Sequence, residues 1–213
     1  VQPDPVSPQL EELSARVLRF LPRSLWHELF VEGNGDGVRF EDCTLTLLFA
    51  QASRPVPEQA AALLQREMRW LAGSHQGKAD PSAGPDHLVM FKNPKAALRM
   101  ALALQNSEQN VQFKVGIHTG RCTLALFEAE GRQWALALGP ERDEAIAVSA
   151  KAVAGTVIIS GGTCKALGDA LDEEVGGALV SEEFEGAELV QATVILPPKP
   201  TAFQSSFAGL GLT

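Results

Sequence analysis

An α+β domain is predicted by three features of the sequence. Short apolar strand patterns, as in residues 44–49 and 87–91, are interspersed with amphipathic helical patterns, as in residues 63–71 and 97–104. Several strand patterns lie close together with short polar turns between them, which favours antiparallel pairing. No internal repeat interrupts the series.

The chain has 213 residues and 45% apolar content, enough for one domain with extensions and a sizeable core. Its formal net charge of -8 argues against a nucleic-acid backbone and against an anionic membrane surface as partners. No apolar run approaches the roughly 18–20 residues that span a bilayer. Cys43, Cys122 and Cys164 are far apart and form no CxxC pair. Reduced thiols in a reducing compartment are therefore expected, and with them a cytoplasmic location. Beginning at Val1 rather than Met, the chain is expected to be processed or a piece of a longer protein.

Three domains of organisation follow: a helical lead over 1–36, a folded domain over 37–197 and a flexible tail over 198–213. Residues 1–8 hold three prolines and precede a helix that Ser7 can cap. Leu10, Leu13, Val17, Leu18 and Leu21 make its apolar stripe. Pro22 ends it, and Leu25, Trp26, Leu29 and Phe30 continue in a second short helix. Residues 33–37 are a glycine-rich turn without the acidic spacing of a calcium loop. A central strand follows over 43–50, then a helix opened by Pro55 and Pro57 and running to His75, closed by Gly77 at positive φ.

Residues 78–91 suit a hairpin whose first half is poor strand material, because Pro81 and Pro85 remove ladder donors. Residues 94–105 form a helix with Ala97, Met100, Ala101 and Leu104 inward. Residues 112–118 and 121–127 are expected to be two strands joined by a tight turn at Thr119-Gly120. Another strand over 134–138, a helix over 140–153 and a short buried strand over 156–159 come next. Ser160 caps a helix to Leu171. Late antiparallel strands fall near 178–180 and 189–196, and Pro197, Pro198 and Pro200 open a linker. The simplest assembly is a ferredoxin-like sheet with helices on one face.

Certain residues at certain spacings carry more. Phe49-Ala50 ends the first strand, His75 and Gly77 precede the proline-containing hairpin, Val115-Gly116-Ile117-His118-Thr119-Gly120 lies centrally, and Gly139 and Gly155 bracket a helix. In this order they resemble the catalytic domain of class III adenylate and guanylate cyclases, from about residue 20 to 160 and more weakly to 196. The resemblance implies dimeric sites, two divalent cations held by two Asp residues, a Lys that selects the base, and an Asn and an Arg that orient the ribose and stabilise the transition state.

Each of those positions departs from the family pattern. The first metal Asp is Gln51, a neutral ligand for a hard cation. The second is Pro85, with Asp86 one residue late, so its side chain should face the wrong way unless a bulge re-aims it. The base-selecting Lys is Pro81. The ribose Asn is Asp143 and the transition-state Arg is Ala147. Lys151, one turn further on, reads as a solvated helix residue, and His118 as structural. His27, His75 and His87 have no metal-ligand spacing.

Loss of metal activation and of transition-state charge stabilisation together should leave no useful turnover. The chain is therefore expected to be no enzyme and to need no cofactor. Its expected role is a regulatory, dimerisation or protein-interaction module, with a second copy or another protein as partner. Trp26, Leu29, Phe30 and the 78–85 segment are candidate contact surfaces. The alternative is a nucleotide or small-ligand sensor with a residual pocket of Gln51, Asp86 and Asp143; an active cyclase with displaced groups ranks below both.

Overall fold

Proline and capping residues mark where the helices begin. The structure, a computed structural model, describes residues 8–32, 37–83, 86–106, 111–129, 131–175, 179–183 and 191–195. The Ser7 cap, most of the glycine-rich turn, Pro85 and the proline-rich tail lie outside the described residues. Helix α1 (Pro8–Val17) and α2 (Arg23–His27), the latter running into a π-helical turn (Glu28–Glu32), form the lead. Then come β1 (Val38–Ala52), α3 (Glu58–Ser74), β2 (Lys78–Asp80), a 3-10 turn (Pro81–Ala83), β3 (His87–Phe91) and α4 (Pro94–Gln105). Asn93 caps α4 by accepting from the Lys95 amide at 3.0 Å, and Pro94 takes the first helical position.

The remaining elements are β4 (Phe113–Ala129), β5 (Arg132–Leu138), α5 (Glu141–Ala150), β6 (Thr156–Ile159), α6 (Gly161–Leu167), α7 (Ala170–Val175), β7 (Leu179–Glu183) and β8 (Gln191–Ile195). Among the described residues the strands form one sheet in the order β2-β3-β1-β4-β6-β8-β7, with β5 paired to β4. The first four strands and α3 and α4 make the βαββαβ unit with all neighbours antiparallel, as a ferredoxin-like fold requires. Strand β6 joins β4 in parallel through α5.

Side-chain alternation divides the core. One face of the sheet places Leu48, Ala50, Val89, Val115 and Ile117 against Leu64 and Met68 of α3 and Leu98 and Ala101 of α4. The other places Leu47, Phe49, Leu88, Met90 and Cys122 with Ala145 of α5. Helix α5 therefore lies opposite α3 and α4, whereas Leu167 of α6 and Val175 of α7 join the α3–α4 face, so the expectation of helices on one face fails at α5.

Four further expectations change. The turn at Thr119-Gly120 does not exist: β4 runs unbroken and pairs with β1 from Val38↔Phe127 to Ala52↔Phe113. At Gly120 an added Cβ would come within 2.2 Å of the Glu141 carboxylate, the far end of a side chain that would have to turn aside. The hairpin lies instead between β4 and β5. Behind α3, Gln76 takes the left-handed conformation (φ 60°), while Gly77 is needed because a Cβ would sit 2.5 Å from the Phe91 ring. Gly168 (φ 52°) divides the helix expected after Ser160 into α6 and α7.

The lead is also not a free surface. Leu13, Val17 and Leu21 are buried against Ala125, Phe127, Leu136 and Leu138, and Trp26, Leu29 and Phe30 pack half-buried on the same cluster. The Trp26 indole donates to the Ser14 carbonyl at 3.0 Å, satisfying its polar edge.

Candidate functional site

The ends of β1 and β3 meet where the polar candidates collect. Their antiparallel register runs from Thr46↔Phe91 to Ala50↔His87, so the next pair brings Gln51 opposite Asp86. Residues directly opposite share a face. The one-residue lateness of Asp86 is thus no obstacle to its reaching Gln51, whose side chain hydrogen-bonds to the carboxyl. Burial raises the Asp86 pKa above the ordinary carboxylate value, and the Gln51 hydrogen bond opposes that shift.

These two side chains line a cleft of about 520 Å³ together with Arg54, Pro55, Leu64 and His87. Burial pushes His87 down to about 4, so its imidazole is neutral at pH 7. Its Nε2 has no hydrogen-bond partner, and its ring stands edge-on to Phe113 at 6.4 Å. A second cleft of about 240 Å³ adjoins the first at Gln65, Asp86 and His87 and reaches Asp80, Pro81 and Arg69.

Asp80, which borders this second cleft, is engaged elsewhere. Its carboxylate accepts from Arg16 Nη2 at 2.5 Å and from the Ser82 amide and hydroxyl at 2.8 and 2.6 Å. Arg16 also donates to the Ala137 carbonyl at 2.5 Å and to Ser82 Oγ at 3.0 and 3.1 Å. The Arg16 side chain is 8% exposed and that of Asp80 0%. This buried pair fastens α1 to the β2–β3 connection, beside Pro81. The sequence reading did not single it out; the signal was a charged residue, Arg16, set between Leu13 and Val17 of an apolar stripe.

The chemistry of the donor set speaks against a divalent metal here. One carboxylate hydrogen-bonded to an amide gives a single negative charge, where a hard cation is held by several oxygen ligands and usually more than one carboxylate. Among the described residues no group of three or more His, Cys, Asp and Glu side chains is placed to hold a metal.

Asp143 and Ala147 stand four residues apart on the exposed face of α5. The Asp143 side chain is 79% exposed, with Arg142 Nη1 at 3.4 Å. Neither lines the Gln51–Asp86 cleft, so within one chain the expected pocket contains two of its three residues. Lys151 caps the C-terminus of α5. Pro81 lies half-buried in the 3-10 turn.

His118 links three elements. Its Nδ1 lies 3.0 Å from Ser160 Oγ at the start of α6, and its Nε2 lies 2.5 Å from Glu141 at the start of α5. Ser160 is 1% exposed and also accepts from the Thr163 amide. The Ser–His–Glu chain resembles a nucleophile relay in composition, but a hydroxyl buried this deeply cannot meet a substrate. Its work is to fix α5 over Gly116 and Gly120.

No protein-family model matches the sequence, and no curated protein matches it significantly. Solved structures do. The adenylyl cyclase CyaB from P. aeruginosa is 20% identical at a TM-score of 0.55, the match covering 76% of this chain and 98% of that one. Adenylate cyclases from Trypanosoma brucei in their monomeric state give 16% identity and a TM-score of 0.61, over 74% and 92% of the two chains. The guanylate cyclase domain of RhGC from Catenaria anguillulae, in complex with GTP, gives 14% and 0.54, over 75% and 100%. Taken with the βαββαβ sheet and the parallel β6, these likenesses show that the chain has the fold of the class III adenylyl and guanylyl cyclase catalytic domain.

Proposed function

We propose that this domain keeps the cyclase fold without nucleotide turnover and serves as a regulatory, dimerisation or protein-interaction module, in a cytoplasmic setting. The observation that carries the reading is the Gln51–Asp86 pair. Two facing carboxylates would concentrate charge for two cations, whereas an amide bonded to one carboxylate does not. Pro81 in place of a base-selecting Lys, and Ala147 in place of an Arg, point the same way. Without metals and a cationic transition-state partner, each loss costs orders of magnitude in rate.

The test is cyclic nucleotide production from ATP and GTP with manganese, run beside an active cyclase, at protein concentrations spanning dimerisation. No product above background is expected. Product that disappears in Gln51→Ala or Asp86→Ala would overturn the reading.

A second reading, a sensor that binds a nucleotide or other small molecule without reacting, is favoured by the 520 Å³ cleft. It predicts saturable binding and a ligand-dependent rise in melting temperature. Absence of binding up to millimolar ATP and GTP would remove nucleotides from consideration.

A further inference from the structure

We propose that Cys43 and Cys122 form a redox-sensitive modification site, where a small-molecule disulfide converts the two thiols to a disulfide across β1 and β4 and excess small thiol reverses it. This goes beyond the functional reading above and is independent of whether the domain turns over nucleotide. The two cysteines are far apart in sequence, and both are free thiols. The β1–β4 register sets Cys43 directly opposite Cys122.

Directly opposed residues of antiparallel strands share a face, with Cα atoms, like Cβ atoms, about 4.5–5.5 Å apart. A disulfide needs Cα atoms about 4.4–6.8 Å apart and Cβ atoms about 3.5–4.5 Å apart. The pairing thus meets the first requirement and falls at the outer limit of the second. Both side chains belong to the α5-facing cluster, and Cys43 is near enough to be among the causes that raise the Cys122 thiol, after burial and Glu141. Cys122 Sγ leans along β4 towards the Gly120 carbonyl at 3.9 Å, so the bond needs a turn about χ1 that gives up only a weak S–H contact. The strands are paired from Val38 to Ala52, which keeps them from closing up around one pair. The disulfide formed there is strained, and strained disulfides are the ones that small thiols reduce.

The two cysteines differ in access: Cys43 is half-buried, and Cys122 is 2% exposed. The Cys43 thiolate attacks one sulfur of the small disulfide and expels the other as a thiolate. Cys122 then gives up its proton, attacks the Cys43 sulfur and expels the second small thiolate. The protein loses two protons and two electrons, and the small disulfide becomes two small thiols. Cys164, on α6, packs on the opposite cluster and takes no part. Burial, with Glu41 and Asp42 adding and Lys92 opposing, raises the Cys43 thiol, so exchange is slow at pH 7 and quickens about tenfold per pH unit towards 9.

The test is to incubate the whole chain with millimolar glutathione disulfide at pH 7, 8 and 9, quench it in acid, digest it with pepsin and identify linked peptides by mass spectrometry. Circular dichroism checks that the chain stays folded. A Cys43–Cys122 link is expected, with the chain lighter by two hydrogens, and the link should be lost in millimolar reduced glutathione. Cys122→Ala should stop at the first step, with glutathione on Cys43. Cys43→Ser should leave Cys122 unmodified, and Cys164→Ser should not change the yield of the link. A parent chain that stops with glutathione on Cys43, that links through Cys164, or that keeps its thiols after a day at pH 9 would overturn the proposal. A Cys43–Cys122 link that resists reduced glutathione would overturn it too, since the bond would then be static.

Discussion

Replacing Arg16 by Met should be among the most damaging single changes at a polar position. Methionine keeps the apolar stem of Arg16 on α1 and the volume beside Leu13 and Val17, so packing loss is small. What remains is an Asp80 carboxylate with 0% side-chain exposure, whose Oδ2 has lost its cationic partner at 2.5 Å. Ser82 still donates to Oδ1 from its amide and hydroxyl. The Ala137 carbonyl loses its donor as well. Breaking a buried ion pair on one side costs about 3–5 kcal/mol. For a domain of this size that corresponds to a fall in melting temperature of roughly 6–20 °C.

Urea denaturation followed by circular dichroism, with thermal melts in parallel, measures both quantities. The R16M/D80N double variant removes the stranded charge, and the Asn carbonyl can still accept from Ser82. It should recover at least half of the loss. Stability of R16M within about 1 kcal/mol of the parent would refute the reasoning, because Asp80 would then be reached by water or another donor. So would amide exchange in which residues 8–17 alone lose protection while global stability is unchanged, since α1 would then be a detachable strap.

Three further outcomes are expected. His87 titrates near 4 in the folded chain and near its ordinary 6.5 when unfolded, so the unfolded state binds more protons between those values. Stability should therefore fall as pH drops from about 6.5 towards 4, by at most about 3 kcal/mol, and His87→Gln should flatten that slope in urea midpoints measured across pH. Gly116→Ala should destabilise by about 3 kcal/mol or prevent folding, since its Cβ would lie 2.3 Å from the Ser149 amide nitrogen, a backbone atom that cannot turn aside; melting within 2 °C of the parent would contradict the close seating of α5. Burial, with Glu141 adding to it, pushes the Cys122 thiol up to about 12, so alkylation at pH 8 mapped by mass spectrometry should leave Cys122 unmodified until the chain unfolds.

Much of the fold was legible because local chemistry and tertiary packing agree. Asn93-Pro94 starts α4 and the apolar spacing of Ala97, Met100, Ala101 and Leu104 carries it to Gln105, the bounds the structure has. Strand β6 is a short β-branched run, Thr156 to Ile159, buried on both faces, and it reads the same way in either view. Phe49-Ala50 at the end of β1 and the order of elements were enough to suggest the cyclase-like arrangement that the structural likenesses bear out as a fold.

What failed to be legible depended on contacts between residues far apart in sequence. Gly120 looks like a turn residue from its neighbours alone. Only the pairing of β4 with β1, in which Gly120 stands opposite Leu45, shows that it is a strand residue. Asp86 seemed misplaced because counting along one strand fixes the alternation of side chains but not which partner lies opposite; the β1–β3 register decides that, and it sets Asp86 against Gln51. Arg16 and Asp80 are 64 positions apart and each alone resembles a surface charge. By itself the sequence determined the elements, their order, and which family-like positions carry Gln51, Pro81, Asp143 and Ala147. Tertiary structure decided which of those positions meet, which charges are buried, and which apolar face is left outside, because pairing register and the docking of α1 and α5 are set by long-range packing that no local pattern encodes.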